Sequence, residues 1–246
     1  MLQPLIFAHR GDSAHAPENT ISAFQLAVEH GADGIEFDVK VTHDGRVIVL
    51  HDQTLQRTTT GYGNLKSFSY DELRMFDSGE KYSSKYKNEK IPTLEEVFEA
   101  VGNRLNINIE LTNYATPGDD LIEKVAKILA QVNDTSKVMF SSFNWSNLKK
   151  IHKLCPEIPC GLLALPGIAG WLSRSSFTRN VPHEAIHPYF ADVNKNSVKA
   201  WHQQGKKVNV WTVNEPKEML RLNDIGVDMI MTDDPALAKS TLQSTL

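Results

Sequence analysis

The residues with the clearest chemical potential lie in the stretch 35–52, which reads IEFDVKVTHDGRVIVLHD. Apolar and polar residues alternate on both sides of the Asp-Gly pair at 44–45, and this pattern predicts a β-hairpin with a two-residue turn. That register places His51 opposite Asp38, while Glu36 shares their face two residues away. The stretch therefore predicts two carboxylates and an imidazole on one patch. Alone, it also fits a solvated hairpin face, since charged side chains are mostly exposed.

Polar side chains also stand at the ends of other predicted strands. The apolar stretch 5–8 is followed directly by His9 and Arg10. In the stretch 106–110, NINIE, the two asparagines and Glu110 share one face of a strand and the two isoleucines share the other. Strands of a parallel sheet are normally apolar on both faces, so such a row of polar side chains requires a polar destination. Glu110 is therefore the third candidate carboxylate.

Three carboxylates at one place repel one another unless a cation lies among them. Glu36, Asp38 and Glu110 would ligate through oxygen alone, and such a donor set selects a hard divalent cation, Mg²⁺ or Ca²⁺, with Mn²⁺ also compatible. The alternative for Glu110 is an ion pair with Arg10 or Arg104, because arginine commonly pairs with buried carboxylates. The first interpretation predicts a metal centre, and the second predicts a structural salt bridge.

Two histidines and an arginine beside a hard cation fit phosphoryl chemistry. The cation and Arg10 would neutralise phosphate oxygens, while one of His9 and His51 activates a nucleophile and the other protonates the leaving alkoxide. Imidazole titrates near neutral pH, so such a pair can supply one base and one acid. A lone histidine at a strand end is more often a packed residue, but here two of them are each followed by a charged residue. We therefore predict His9 and His51 as the catalytic pair.

The elements that must position these residues alternate along the chain. Strands are predicted at 5–8, in the outgoing half of the hairpin, and at 105–111, 138–142, 160–164, 185–187, 208–213 and 228–232. Helices are predicted from residue 21, capped by Asn19 or Thr20, from Thr93 to 101, at 119–132, 145–154, 195–204 and 217–224, and after Pro235. Eight strands, each followed by a helix or an inserted segment, predict a closed (β/α)₈ barrel. An open doubly wound sheet is the alternative, disfavoured because no Gly-rich phosphate loop opens the first helix.

Composition restricts the class of protein and its partners. The net charge is −4 and no run of lysine or arginine forms a basic patch, so nucleic acid is not an expected partner. The segment MLQPLIFAHRGD has no positive residue before its apolar run and no small-residue cleavage site, so no signal peptide is expected, and no stretch approaches the length of a membrane span. Cys155 and Cys160 are expected to be reduced, buried thiols, which is typical of a cytoplasmic protein. The expected partner is a small-molecule substrate.

Several motifs together resemble those of one enzyme family. They are HRG (9–11), PENT (17–20), EFD (36–38), HD (51–52), TGYG (60–63), IPTLEE (91–96), NIEL (108–111), FSSF (140–143), WTVN (211–214) and GVDMIMTDDP (226–235). Each fragment is weak, but their order over nearly the whole chain resembles the glycerophosphodiester phosphodiesterase family in its compact bacterial cytosolic form.

This resemblance implies a fold and an activity. It implies a single distorted (β/α)₈ TIM barrel over residues 1–246, with an insertion after the second strand at about 42–90. It also implies hydrolysis of glycerophosphodiesters to sn-glycerol 3-phosphate and an alcohol, a reaction of lipid and glycerol metabolism. Either water or the glycerol 2-hydroxyl can be the attacking group with the same residues.

The resemblance assigns a role to each site residue. Arg10 corresponds to a phosphate-contacting arginine, and Trp211 corresponds to an aromatic residue of the substrate pocket. The metal ligands that it implies are Glu36, Asp38 and Glu110, and the acid and base that it implies are His9 and His51.

One position departs from the family pattern. Thr112 stands where the family usually has a lysine, two residues after the third metal carboxylate and on the same face of the strand. We therefore expect either weaker anchoring of the substrate or compensation by another basic group. The missing lysine is also the only motive for a different interpretation, a non-catalytic barrel that binds a ligand. The presence of all three carboxylates and both histidines argues against it.

Several other residues have a structural expectation. Glu18 and Asn19 are expected to fix the loop after the first strand, and Asp233 and Asp234 are expected to cap the last helix. The apolar run 162–172 is expected to be a strand and its loop. The alternative is an apolar wall that admits the acyl chain of a lysophospholipid, which would make the enzyme similar to a lysophospholipase D.

Overall fold

Strand β1 (Leu5–His9) has a parallel neighbour on each side in the computed structural model, which describes residues 3–244. The other strands of the described chain are β2 (Gly34–Val41), β3 (Val47–Val49), β4 (Asn106–Leu111), β5 (Val138–Ser142), β6 (Cys160–Ala164), β7 (Ala185–Pro188), β8 (Lys207–Val210) and β9 (Met229–Thr232). Their order is β1-β9-β8-β7-β6-β5-β4-β2-β3, and β1 also pairs with β2. Within the described residues, eight parallel strands therefore close into a barrel, and only β3 is antiparallel. The predicted barrel is confirmed, and closure excludes the open sheet.

Helices connect the barrel strands. They are α1 (Ile21–Glu29), α2 (Tyr70–Leu73), α3 (Leu94–Val101), α4 (Leu121–Leu129), α5 (Trp145–Leu154), α6 (Lys195–Gln203), α7 (Pro216–Ile225) and α8 (Pro235–Gln243). Thr20 caps α1, and Thr93 forms a capping box with Glu96 at the start of α3.

Within residues 3–244, none of these helices has both the length and the apolar character needed to cross a membrane. Cys155 and Cys160 both lie buried as free thiols, as expected.

The register of the hairpin differs from the predicted one by one residue. Val39 pairs with Val49, and the amide of Leu50 donates to the carbonyl of Asp38, so Leu50 takes the place predicted for His51. The loop has three residues, 43–45, because the Thr42 hydroxyl accepts the amide of Arg46 at 2.9 Å. Gly45 provides the positive φ of +88° that such a loop needs after its turn. The prediction of a two-residue turn was therefore wrong.

The segment between β2 and α3 has a small apolar core of its own. Its buried residues are Ile48, Leu50, Leu55, Leu65, Leu73 and Ile91. Two tyrosines of this segment reach the loop between β1 and α1: the hydroxyl of Tyr82 donates to the carbonyl of Ala14 at 2.6 Å, and that of Tyr86 donates to the carbonyl of His15 at 2.8 Å. The segment thus contacts the loop that follows the first strand.

The barrel interior contains a fully buried imidazole. His187, on β7, lies with its Nε2 at 2.9 Å from the amide nitrogen of Asn209, on β8. Burial, followed by repulsion from His183, lowers the pKa of His187 from 6.5 to about 3. The imidazole is therefore neutral throughout the neutral pH range.

This buried imidazole predicts loss of stability in acid. Between pH 6.5 and about 3 the unfolded chain takes up a proton at His187 and the folded chain does not, so His187 lowers the free energy of unfolding as the pH falls. The slope from this one group is about 1.4 kcal/mol per pH unit. Urea denaturation of the wild type and of His187→Gln at several pH values should show a smaller slope in the variant. Equal slopes would contradict the prediction, and His202→Gln, at an exposed histidine, is the control.

Candidate active site

The predicted site residues gather at the carboxyl ends of the barrel strands. A cavity of about 100 Å³ is lined there by His9, Arg10, Glu36, His51, Asn108, Glu110, Ser141, Phe143, Leu163, Trp211 and Met231. A much larger cavity, about 1200 Å³, opens at the other end of the barrel beside Phe7, Met139 and Met229, and none of the predicted site residues lines it. The smaller cavity is the candidate active site because it contains the titratable groups, and in barrel enzymes the carboxyl ends of the strands carry the chemistry.

The three carboxylates come from two adjacent strands. Asp38 on β2 is the direct register partner of Glu110 on β4, and Glu36 precedes Asp38 on the same face. One oxygen from each of the three lies within 4.8 Å of the others. Asn19 donates to Asp38 at 3.1 Å, and the hydroxyl of Tyr114 donates to Glu110 at 2.8 Å. The structure therefore brings together all three predicted metal carboxylates and holds two of them with hydrogen bonds.

The electrostatics of this cluster fit a bound cation. Burial, then repulsion from Asp38, raises the pKa of Glu36 well above its ordinary value and raises that of Glu110 to about 8. Arg10 opposes both shifts but does not cancel them. Three clustered carboxylates, two of them buried and Glu110 partly buried, carry this excess of negative charge and offer oxygen as the only donor type, which suits a hard divalent cation. Among the described residues, Asn108 and Ser141 also have buried side-chain polar atoms without a hydrogen-bond partner, and both line the cavity.

Arg10 is held in a strained backbone conformation next to these carboxylates. Its φ is +58°, a value that few residues with a side chain adopt. Its amide donates to the carbonyl of Glu36 at 2.8 Å, and its guanidinium lies 3.0 Å from Glu18 and 3.5 Å from Asp38. The close approach of Gly11 to Ala23 fixes the turn, because a Cβ on Gly11 would come within 2.7 Å of the Ala23 side chain. Strain of this kind is concentrated at functional sites.

Both predicted catalytic histidines have an aspartate as their partner. Nδ1 of His9 lies 2.7 Å from Asp233, and Nδ1 of His51 lies 2.6 Å from Asp52. In each case Nε2 is left for the cavity, and Nε2 of His9 lies 3.9 Å from Glu36. A carboxylate at Nδ1 fixes the tautomer and orientation of an imidazole that exchanges protons at Nε2. The site therefore contains two Asp-His pairs.

A chain of ion pairs holds the second of these pairs in place. Arg57 donates from its Nε to Asp52 at 2.6 Å and from its other nitrogens to Glu18 at 2.6 and 2.8 Å. Hydrogen bonds from Arg57 and His51 outweigh the effect of burial and lower the pKa of Asp52 to about 2. Since Glu18 also pairs with Arg10, the network joins His51 to the loop after β1.

Aromatic rings form one side of the cavity. The ring centroid of Trp211 lies 5.6 Å from that of Phe143 and 5.8 Å from that of Tyr189, with interplanar angles of 85° and 66°. The indole nitrogen of Trp211 donates to the carbonyl of His187 at 2.8 Å, which fixes the ring. The structure thus places Trp211 at the cavity, as expected of a residue that contacts the substrate.

A family profile matches the sequence that forms this site. The profile is that of the glycerophosphoryl diester phosphodiesterase family, and it matches residues 9–237, from the first catalytic candidate into the last helix. The chain belongs to this family. Membership makes it an enzyme, a phosphoric diester hydrolase.

Individual relatives agree with membership of the family. A glycerophosphodiester phosphodiesterase of Caldanaerobacter subterraneus is 39% identical over 235 residues, which cover 95% of this chain and 96% of the relative. One of Bacillus altitudinis is 39% identical over 236 residues, covering 94% of each. The solved structure of an Oleispira antarctica phosphodiesterase, in complex with its product sn-glycerol-3-phosphate, has a TM-score of 0.90 and 30% identity, covering 98% of this chain and 97% of that one.

Thr112, which stands where the resemblance led us to expect a lysine, is hydrogen-bonded to a lysine from the neighbouring strand. Lys40, on β2 two residues after Asp38, is 5% exposed, and its Nζ donates to the hydroxyl of Thr112 at 2.8 Å and to its carbonyl at 3.1 Å. Its charge acts on both Asp38 and Glu110. A basic group therefore lies at Thr112. The alternation of β2 could have revealed it, since Lys40 shares a face with Glu36 and Asp38.

Two expectations for this family member need correction or extension. Asp234 caps α8 through the amide of Leu237, as predicted, but Asp233 instead binds His9, with Asn214 donating to its other oxygen at 2.6 Å. Asn19, expected to be structural, has a φ of +58° and donates to Asp38. The prediction of a cap was therefore wrong for Asp233, and Asn19 also contacts the candidate site.

Proposed function

We propose that this enzyme hydrolyses small glycerophosphodiesters, such as glycerophosphocholine and glycerophosphoethanolamine, to sn-glycerol 3-phosphate and an alcohol. The observation that carries the proposal is the pair of Asp-His units, His9 with Asp233 and His51 with Asp52, at one small cavity beside the cluster of three carboxylates. Cleavage of a phosphodiester requires one proton acceptor and one proton donor beside a site that neutralises phosphate, and this cavity offers both. The product in the Oleispira antarctica structure supports the same chemistry.

Glu36, Asp38 and Glu110 are proposed to hold a divalent cation, Mg²⁺ or Ca²⁺, with Mn²⁺ also compatible. When bound, the cation supplies charge stabilisation for the phosphate oxygens. Two hydrogen bonds orient two of the carboxylates. The side-chain amide of Asn19 donates to Asp38, and the hydroxyl of Tyr114 donates to Glu110. Neutralisation of the cluster would then weaken the attraction between Arg10 and Asp38, so that the guanidinium, still paired with Glu18, can attract the phosphate.

Proton transfer is proposed to occur at Nε2 of the two histidines. One imidazole takes the proton of the attacking hydroxyl, and the other gives a proton to the departing alkoxide. Asp233 and Asp52 stabilise the charged form of their histidine at Nδ1. The scheme holds for attack by water and for attack by the glycerol 2-hydroxyl.

Substrate binding is proposed to use Arg10 and Trp211. The guanidinium of Arg10 offers donors to phosphate oxygens. Burial alone would lower the pKa of Arg10, but attraction to the carboxylates of Asp38, Glu18 and Glu36 outweighs burial and raises it, so the charge stays fixed. The ring of Trp211 offers an apolar face to the glycerol carbons and a π surface to a quaternary ammonium head group.

Lys40 is proposed to replace the usual family lysine as a nearby positive charge. Lys40→Met keeps the length of the buried side chain but removes its charge. One charge at a partly buried site is worth on the order of 1–2 kcal/mol, so KM for an anionic diester should rise about 10-fold, while the divalent cation should bind at least as tightly. Steady-state kinetics and calorimetric metal titration would test both effects. Thr112→Val is the control, because it removes the hydroxyl that accepts from Lys40 and donates to the carbonyl of Val39 but keeps the charge of Lys40 and its bond to the Thr112 carbonyl. Weaker binding of both ligands would contradict the prediction.

The proposed function has a direct test. Purified protein is incubated with glycerophosphocholine or glycerophosphoethanolamine and with Mg²⁺, Ca²⁺ or EDTA, and released sn-glycerol 3-phosphate is measured by a coupled assay. Release that depends on the cation and fails in His9→Ala and Glu110→Ala supports the proposal. Folded protein that releases none with any cation would overturn it.

A second candidate substrate, a lysophospholipid, is favoured by one surface feature. The loop after β6 exposes five large apolar side chains, with exposed fractions from 47% to 94%: Leu165, Ile168, Trp171, Leu172 and Phe177. An apolar surface of this kind can hold an acyl chain. Comparing turnover of detergent-dispersed lysophosphatidylcholine with that of glycerophosphocholine decides between the two substrates. If the loop holds the acyl chain, Ile168→Ser should reduce only the turnover of lysophosphatidylcholine.

We further propose that residues 1–246 act as one cytoplasmic domain with its insertion at about 42–90. The free, buried thiols of Cys155 and Cys160 support a reducing compartment. Fractionation of cells followed by immunoblotting would test the compartment.

A further inference from the structure

A second cluster of ligand-type side chains lies apart from the three carboxylates. Asp12 is fully buried, and its two oxygens point to two different imidazoles: Oδ1 lies 2.8 Å from Nδ1 of His15, and Oδ2 lies 2.5 Å from Nδ1 of His30. One atom from each of the three residues lies within 4.8 Å of the others. The proposed hydrolysis uses none of these residues.

The backbone holds this cluster in place from two elements. Asp12 and His15 belong to the loop after β1, and His30 is the residue that ends α1. The amide of Asp12 donates to the carbonyl of Ala23 inside α1 at 3.0 Å, and that of His15 donates to the carbonyl of Asp12 at 3.2 Å. The two imidazoles meet edge to face with centroids 5.6 Å apart. The three side chains therefore converge without needing the loop to fold around a ligand.

We propose that Asp12, His15 and His30 form a binding site for a transition-metal ion, with Zn²⁺ as the preferred ion. Two imidazole nitrogens and one carboxylate oxygen are a common set of three protein ligands for zinc, and imidazole favours zinc over Mg²⁺ and Ca²⁺. The donor types distinguish this site from the all-oxygen cluster at Glu36.

Access and charge also suit an ion. The side chains of His15 and His30 are 46% and 33% exposed, so an ion can enter from solvent, while the buried carboxylate of Asp12 lies at the base. Asp234, with its Oδ2 at 3.9 Å from Nε2 of His15, adds negative charge nearby. A bound divalent cation would replace the two imidazole protons that otherwise face Asp12.

The site would cross-link the segment that carries Arg10 to the end of α1. The same segment already receives hydrogen bonds from Tyr82 and Tyr86 of the insertion, at the carbonyls of Ala14 and His15. An ion that binds only the folded chain stabilises it in proportion to the logarithm of its concentration over its dissociation constant. Occupancy should therefore raise the melting temperature without being required for hydrolysis.

The test is Zn²⁺ and Co²⁺ binding to EDTA-stripped full-length protein that carries Glu110→Gln, which weakens the carboxylate site. We expect about one tightly bound equivalent, measured by equilibrium dialysis, together with a visible Co²⁺ absorption and a rise in melting temperature. Adding His15→Gln and His30→Gln should remove the bound equivalent, the absorption and the rise. Adding His202→Gln instead, at an exposed histidine that pairs with Asp228 but has no second imidazole, should leave all three unchanged.

Two outcomes would overturn the proposal. Equal Zn²⁺ binding with and without His15 and His30 would place the ion elsewhere. Absence of binding to protein with native circular dichroism would show that Asp12 forms only ion pairs with the two histidines. Zinc-loaded protein with intact His15 and His30 should also resist proteolysis in the loop after β1, which is a readout independent of hydrolysis.

Discussion

Replacing Glu110 with glutamine is expected to lower kcat/KM for glycerophosphocholine by about 10³-fold or more, because loss of a cation from a phosphoryl site removes several kcal/mol of charge stabilisation. Glutamine keeps the size of the side chain and its place beside Tyr114 but removes one of the three negative charges. The cation should therefore bind more weakly to the variant. Isothermal titration with Mg²⁺, Ca²⁺ and Mn²⁺ measures this directly.

Tyr114→Phe provides the matched control for this substitution. It removes the hydrogen bond to Glu110 but leaves the carboxylate, so its effect on cation binding should be much smaller. If the Glu110→Gln variant bound the cation as tightly as the wild-type protein does, Glu110 would not be a ligand. Retained activity at saturating cation would instead show that Glu36 and Asp38 suffice.

Proton competition gives a second check on the same site. Burial and the neighbouring Asp38 raise the pKa of Glu110 to about 8, so a proton occupies this carboxylate near neutral pH when no cation is bound. A cation must displace that proton. Its apparent affinity should therefore fall as the pH decreases below about 8, and calorimetry in buffers of different ionisation enthalpy would count the released protons. An affinity independent of pH would argue against Glu110 as a ligand.

The barrel and the three carboxylates could be predicted because they depend on local periodicity. Alternation of strands and helices fixes the fold class, and alternation within a strand fixes which residues share a face, as for Asn108 and Glu110 on β4. The position of Lys40 follows from the same rule. Its partner Thr112 lies just after β4, on a different part of the chain, so the position of Lys40 could be predicted but its contact could not.

Contacts made by barrel closure could not be predicted. His9 and Asp233 are 224 residues apart and meet only because β1 pairs with β9. No pattern in either segment indicates that register. The register of the hairpin could not be predicted for a local reason. The loop is one residue longer than predicted, and it is closed by backbone hydrogen bonds of Thr42 and by the Thr42 hydroxyl, which accepts the amide of Arg46. A one-residue slip exchanges the two faces of the return strand, but residues 47–50 read VIVL and are apolar on both faces, so the sequence pattern fits both registers.

Replacing His9 with asparagine is expected to lower kcat by about 10³-fold with little change in KM, because a proton donor or acceptor typically contributes 10²- to 10⁴-fold to the transition state alone. The bell-shaped dependence of kcat/KM on pH should lose one limb. Asp233→Asn, which changes only the partner of His9 at Nδ1, should reduce kcat less. His43→Asn, at an exposed histidine in the hairpin loop, should leave the rate unchanged. Retention of both limbs by His9→Asn would contradict a role in proton transfer.

The leaving group then distinguishes the acid from the base. An alcohol such as choline needs a proton as it departs, whereas a nitrophenolate departs without one, so a substrate with the second leaving group needs no general acid. Between His9→Asn and His51→Asn, only the variant that lacks the acid should regain most of its rate on a nitrophenyl diester. Rescue of neither would mean that both histidines act on the attacking group. Because each imidazole is paired with its own aspartate, Asp233 or Asp52, the two are equally prepared for either role, and the rescue experiment assigns them.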